Sequence, residues 1–314
     1  MIGRVAAVTD PGRMRRHNED SYVIDPPLFA IADGMGGAQA GEVASRLATA
    51  ALKDSGGNGA GEQRIADLIQ EANRRVYNRS STDPNTSGMG TTITVALVGD
   101  EQVAFGHVGD SRAYLIRDAR MEQLTEDHSL VNELLKTGKL SREEAESHPQ
   151  RSVITRALGT DPDVDVDTFT VRTENGDLFL LCSDGLTDMV SEDAILDVVE
   201  RHRDDIKGAL RALVKEANRG GGQDNITVVA FEIADQVLVR DGDTREQALP
   251  EDEATLTEVD AVPVVDTGVV PVEEVQAADR AKRRRHLRRR IGAWLVLLVL
   301  VAAVAALLLL RFLN

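Results

Sequence analysis

Four aspartates stand where apolar runs meet Gly-rich or polar turns: Asp20 in Asn18-Glu19-Asp20, Asp33 in Asp33-Gly34-Met35-Gly36-Gly37, Asp184 in Ser183-Asp184-Gly185, and Asp224 in Gly222-Gln223-Asp224-Asn225. Runs such as residues 28–32 and 178–182 read as strands that end at a carboxylate, so the fold has to bring several strand ends to one rim. No His or Cys stands beside these aspartates. An all-oxygen donor set of that kind suits Mg²⁺ or Mn²⁺, which keep several waters, over Zn²⁺.

Charge divides the chain. The net charge of −16 includes nine Lys/Arg at and beyond residue 280, so residues 1–279 carry −16 − 9 = −25. A domain that acidic repels nucleic acid, and no nucleic-acid partner is expected. Residues 234–279 hold thirteen Asp/Glu against two Lys/Arg, a composition that reads as a disordered acidic linker. Residues 280–290 form a basic segment, and residues 291–310 are twenty positions without a charge. Such a run is long enough to span a hydrocarbon core, and basic clusters stay on the cytoplasmic side. The expected arrangement is a catalytic domain over 1–233, facing the cytoplasm, held by a single C-terminal transmembrane helix that contacts membrane lipids.

Within residues 1–233, strand patterns at 4–9, 21–25 and 28–32 precede two amphipathic helices at 41–53 and 62–77. Strands at 92–98, 102–108 and 112–117 follow and read as an antiparallel meander. Residues 127–158 are polar and helical, an excursion close to the carboxylate rim. Further strands at 163–171, 177–182 and 225–233 bracket helices near 191–202 and 205–219. Strands in runs and helices in pairs indicate an α+β layered domain. The single Cys182 lies in an apolar strand pattern and reads as packing rather than as a nucleophile.

The motifs Arg15 to Asp20 (RRHNED), DGMGG at 33–37, GMGTT at 88–92, GDSR at 109–112, SDG at 183–185 and GQDNIT at 222–227 occur in one order. In these the chain resembles the metal-dependent protein phosphatase family (PPM, type 2C), in its bacterial serine/threonine form, over residues 3–233. The resemblance implies an antiparallel β-sandwich flanked by helix pairs, a four-layer αββα fold. It implies two Mn²⁺ or Mg²⁺ ions at the core site and a third in many members.

Residue by residue, Asp33 matches the carboxylate shared by both ions and Gly34 the neighbouring carbonyl, while Asp184 and Asp224 match ligands of one ion. Asp20 and Glu19 match groups that hold water on the other. Asp110 matches a ligand of the third ion, Arg15 the phosphate-gripping guanidinium, and Ser152 a substrate contact found in some bacterial relatives. Two cations would activate water for direct attack on phosphorus. The implied activity is hydrolysis of phosphoserine and phosphothreonine on proteins, opposing membrane Ser/Thr kinases and acting on their substrates. Two alternatives stay open, a catalytically inactive binding module and a phosphatase dedicated to a small regulatory protein. Met35 departs from the pattern, standing where eukaryotic relatives usually carry a His, so no acid for the leaving alkoxide is evident.

Overall fold

The computed structural model describes residues 1–36, 40–54, 61–141, 144–145, 148–150 and 152–234. The acidic linker, the basic segment and the apolar run expected to span a membrane lie outside these residues. No helix among the described residues is long and apolar enough to cross a membrane.

Eleven strands fall into two antiparallel sheets. The first has the order β1 (Ile2–Asp10), β11 (Ile226–Ile233), β10 (Leu178–Cys182), β7 (Arg112–Arg117) and β8 (Arg120–Gln123). The second runs β2 (Asp20–Asp25), β3 (Leu28–Met35), β5 (Ile93–Val98), β6 (Gln102–Val108) and β9 (Asp167–Arg172), with the two-residue β4 (Gly90–Thr91) beside β3. Alternation along the central strands sends Phe29, Ile31, Phe105, Phe179 and Phe231 into the space between the sheets. Phe29 and Phe231 stack there with ring centroids 4.2 Å apart, an arrangement that adds to the burial of aromatic surface.

The outer faces are covered by amphipathic helices. On the second sheet lie α1 (Ala40–Asp54) and α2 (Glu62–Thr82), through Ala44, Ala48, Ile65, Ile69 and Val76. The first sheet is covered by α5 (Glu192–Arg201) and α6 (Ile206–Gly220), through Ile195, Val199, Leu210, Leu213 and Ala217. This is the four-layer αββα arrangement. Ser191 and Asp205 cap these last two helices by accepting hydrogen bonds from the backbone N–H of Ala194 and Gly208, a local signal that stops the preceding turn and starts the helix.

Close helix-to-sheet packing depends on Gly106 in β6, where an added Cβ would lie 2.1 Å from Ile65 Cγ2 and 2.7 Å from Ile69 Cδ1. Gly106→Ala is expected to destabilise the domain by about 1–3 kcal/mol through overpacking. Urea unfolding should show the midpoint falling with little change in slope.

The meander expectation needs correction. β5 and β6 do pair, but β7 crosses to the other sheet and pairs with β10 and β8, while β6 takes β9 as its second neighbour. The crossing occurs at Gly109, whose φ of 116° is a conformation that L side chains rarely adopt. A Cβ there would also meet Thr92 Cβ at 2.5 Å. Alternating hydrophobicity sets which face a strand buries, and it is silent on which partner the strand chooses. The excursion at 127–158 contains the short helix α3 (Leu130–Lys136) and is fastened at its base by isolated bridges Ser129 to Ile154 and Thr91 to Leu158.

Candidate metal centre

All the expected acidic residues occupy one end of the sandwich. Asp20 opens β2 and Asp33 lies near the end of β3, and the two are cross-strand partners in register. Like charges placed directly opposite on one face repel. From the other sheet, Asp184 opens the four-residue helix α4 (Asp184–Thr187) immediately after β10, and Asp224 lies in the turn leading into β11. Asp110 follows Gly109 at the crossing between sheets and is buried.

Burial is the first cause that pushes Asp33, Asp184, Asp20 and Asp110 upward. Asp33 is raised well above the usual carboxylate range by desolvation and by Asp20, Asp184, Asp110 and Asp224. Asp184 is raised likewise, by desolvation and by Asp110 and Asp224. Asp20 is pushed up to about 6 by desolvation, partly offset by hydrogen bonds. Asp110 is pushed up to about 7 by desolvation and by Asp127. Glu19 is also raised by desolvation.

The donor set fits hard divalent cations. Asp20 Oδ1 and Asp184 Oδ1 are buried acceptors without a hydrogen-bond partner, a costly state unless a positive group faces them. Among the described residues no three His, Cys, Asp or Glu side chains close into a direct ligand cage. Ions that keep several of their own waters do not require one. Gly34 is held in a cradle that only glycine fills, since a Cβ there would lie 2.1 Å from Gly41 O and 2.6 Å from Glu19 O. The Gly34 carbonyl and Glu19 Oε2 both lie close to Gly41, which brings these two further oxygens to the rim.

Two side chains whose sequence signal was weak hold this arrangement together. Ser183 Oγ donates to Asp20 Oδ2 at 2.9 Å and accepts from Thr227 N–H, tying the two sheets at the site. Asn225 accepts the Glu19 N–H through Oδ1 and donates through Nδ2 to the carbonyls of Pro11 and His17, so it shapes the whole loop carrying Arg15 and Glu19. Asp33 is fixed by its backbone: its N–H donates to Thr92 Oγ1, and Thr91 Oγ1 donates to its carbonyl. Position beside an acidic residue was the only sequence clue for Ser183.

Arg15 reaches the cluster, with Nη2 donating to Asp224 Oδ2 at 2.5 Å while half of the side chain stays exposed. Ser152 is exposed in the excursion, and among the described residues no hydrogen bond joins it to the carboxylates. Met35 is partly buried and pairs with Gly90. His17 is exposed, and its carbonyl accepts from Asn225 Nδ2. Burial pushes the Cys182 thiol up to about 12, which leaves it an inert core residue.

His107 and His128 are structural. Thr94 Oγ1 and the Glu126 carbonyl engage both nitrogens of the buried His107 ring, while His128 contacts Gly109 N–H and Asp167. Burial, and then His128, lower His107 from 6.5 to about 4. A histidine kept neutral this way stabilises the fold fully above pH 6.5 and loses that contribution as pH falls towards 4. Between pH 7.5 and 5 the wild type should therefore lose about 2 kcal/mol more unfolding free energy than His107→Gln. Parallel urea titrations at the two pH values measure the difference.

The protein phosphatase 2C family profile matches residues 16–219. The serine/threonine phosphatase stp of Listeria welshimeri serovar 6b is 41% identical over 236 residues, covering 71% of this chain and 93% of its own. The crystal structure of the Mycobacterium tuberculosis serine/threonine phosphatase PstP/Ppp superposes with a TM-score of 0.70 at 39% identity, covering 74% of this chain and all of that one. The catalytic domain of PstP in complex with two manganese ions superposes with a TM-score of 0.68 at 37% identity, covering 74% of this chain and 98% of that domain.

Proposed function

The chain belongs to the protein phosphatase 2C family and is a metal-dependent serine/threonine protein phosphatase that uses Mn²⁺ or Mg²⁺; we propose that it dephosphorylates proteins at the cytoplasmic face of a membrane, Ser/Thr kinases and their substrates among them. The observation that carries the catalytic reading is the set of half-buried, mutually repelling carboxylates at the seam of the two sheets, two of whose oxygens, Asp20 Oδ1 and Asp184 Oδ1, are buried and orphaned.

In this reading Asp33, the Gly34 carbonyl, Asp184 and Asp224 hold the ion pair, Asp20 and Glu19 act on it through water, and Asp110 with Asp184 serves a third position. When bound, the ions supply activation of water and neutralise charge developing on the phosphoryl group. Ser183 and Asn225 keep the acidic side chains oriented from both sheets. Arg15 grips phosphoryl oxygens with the N–H groups not engaged by Asp224, a use to which its planar fork is suited. Ser152 contacts the protein substrate from the excursion. An intact acidic set with unsatisfied oxygens argues against an inactive binding module.

Membrane attachment rests on the sequence beyond the described residues. Residues 291–310 would form the span and residues 280–290 would remain on the cytoplasmic side, close to anionic lipid. Sharing a membrane with a kinase raises the effective concentration of that substrate. The full chain should release phosphate from a phosphothreonine peptide only with Mn²⁺ or Mg²⁺ present, and it should sediment with membranes. Turnover in excess chelator would refute the catalytic reading, and a full-length chain that stays in the supernatant would refute the anchor.

A further inference from the structure

Helix α6 carries Lys207, Arg211, Lys215 and Arg219 at successive four-residue steps, all exposed. Like charges at that spacing repel and weaken a helix. The surrounding domain is strongly acidic: residues 1–279 carry −25 and residues 234–279 carry 2 − 13 = −11, which leaves −14 on residues 1–233. A cationic stripe of this kind is therefore not the average surface of this molecule.

The last three of these residues also border a groove of about 560 Å³, lined as well by Arg13, Val8 and Val214. Arg219 forms an ion pair with Glu216, whereas Arg13, Arg211 and Lys215 have no ion pair among the described residues. Asp10, the one acid in the groove, is already engaged by Gly12 N–H and by Asn218 Nδ2.

The groove borders the loop that carries Arg15 to the metal centre. The Arg13 and Met14 N–H groups both donate to the Gly222 carbonyl, at 2.8 and 3.2 Å, next to the turn carrying Asp224. Two residues beyond Arg13, Arg15 touches Asp224 itself. Met14 is 73% exposed between them. Arg211 to Arg219 spans about 12 Å of helix axis, the length of three to four residues of extended peptide.

Resting on the phosphatase reading above, we propose that this groove is a docking subsite for the protein substrate, selecting phosphoserine and phosphothreonine segments that carry Asp, Glu or a further phosphate within a few residues of the phosphate being removed. Arg211 and Lys215, together with Arg13, receive the anionic side chains. Val8 and Val214 pack against the peptide's apolar atoms. The concave shape and its position beside the Arg15 loop favour a peptide over a flat anionic lipid surface.

The full chain supplies the test, with two phosphothreonine peptides that differ only in whether the flanking residues are Glu or Ala, and with p-nitrophenyl phosphate as a substrate too small to reach the groove. In Arg211→Ala/Lys215→Ala, KM for the Glu-flanked peptide should rise about tenfold, the scale of two exposed ion pairs, with the other two substrates unchanged. Lys207→Ala, on the same stripe but outside the groove, should behave as wild type. Raising salt should remove the wild-type preference for the acidic peptide. An equal effect on both peptides, or none, would overturn the subsite. So would unchanged kinetics together with lost binding to phosphatidylserine vesicles, which would assign the stripe to the membrane. Failure of the wild type to hydrolyse any of the three substrates with Mn²⁺ would instead overturn the phosphatase reading.

Discussion

Replacing Asp33 by Asn is expected to abolish most Mn²⁺-dependent turnover while making the metal-free protein more stable. The loss follows from removing the carboxylate proposed to be shared by both ions. Charge stabilisation by such ions amounts to several kcal/mol in the transition state, so kcat/KM should fall roughly a thousandfold.

The gain in stability comes from the same side chain. Asp33 lies opposite Asp20 and is surrounded by Asp184, Asp110 and Asp224, all of which raise it above the ordinary carboxylate value. An acid raised in the folded state binds protons there that the unfolded chain has already released. Metal-free stability therefore falls as pH rises from about 4 through the values of about 6 for Asp20 and about 7 for Asp110. At pH 7.5 the fold bears the cost of either charging Asp33 in its desolvated, acidic surroundings or protonating it, and the neutral amide of Asp33→Asn removes that cost. Each kcal/mol recovered should raise Tm by about 2–4 °C, and the gain should vanish near pH 4. Scanning calorimetry in chelator at both pH values decides this. A less stable Asp33→Asn protein at pH 7.5 would mean the carboxylates do not repel as described.

Arg15→Ala should act on the substrate rather than on the ions. Hydrogen bonds between a guanidinium and a charged acceptor contribute about 1.5–3 kcal/mol, so KM for a phosphothreonine peptide should rise roughly ten- to a hundredfold. Arg15 also occupies Asp224 Oδ2. Its removal frees that oxygen, so Mn²⁺ affinity measured by calorimetry should hold or increase. Arg15→Lys should recover little, because a point-like ammonium cannot reproduce a planar two-point grip. Weakened Mn²⁺ binding with unchanged KM would place Arg15 in the metal site instead.

Much of the domain could be read from the sequence because its elements obey simple periods. The stripe Ile65, Leu68, Ile69, Ala72, Val76 in α2 matches its buried face, whereas in α1, rich in alanine all round, spacing favours Val43, Leu47 and Ala50 while the structure buries Ala44, Ala48 and Leu52. The aspartates were found because each interrupts an apolar run at a turn. What stayed hidden involved choice of partner. The passage of β7 into the opposite sheet depends on one positive-φ glycine at 109. The strand β8, with only four residues and Met121 its one apolar side chain against the core, leaves little hydrophobic signature. The roles of Ser183 and Asn225 depend on residues more than 150 positions away, Asp20 and Glu19, and no local pattern encodes such distances. Ser152, matched to a substrate contact by resemblance, lies on the exposed surface of the excursion, without a bond to the carboxylates among the described residues.

Strand β1 pairs along its length with β11, Ile2 lying against Ile233 and Asp10 against Ile226. The first strand of the domain thus waits for its last before their pairing can form, and contacts of such long sequence separation form slowly. The Arg15 loop and Asp224 flank this final pairing. A partly synthesised chain consequently has neither a finished sheet nor an assembled centre, and hydrolytic competence is withheld until translation has passed residue 233.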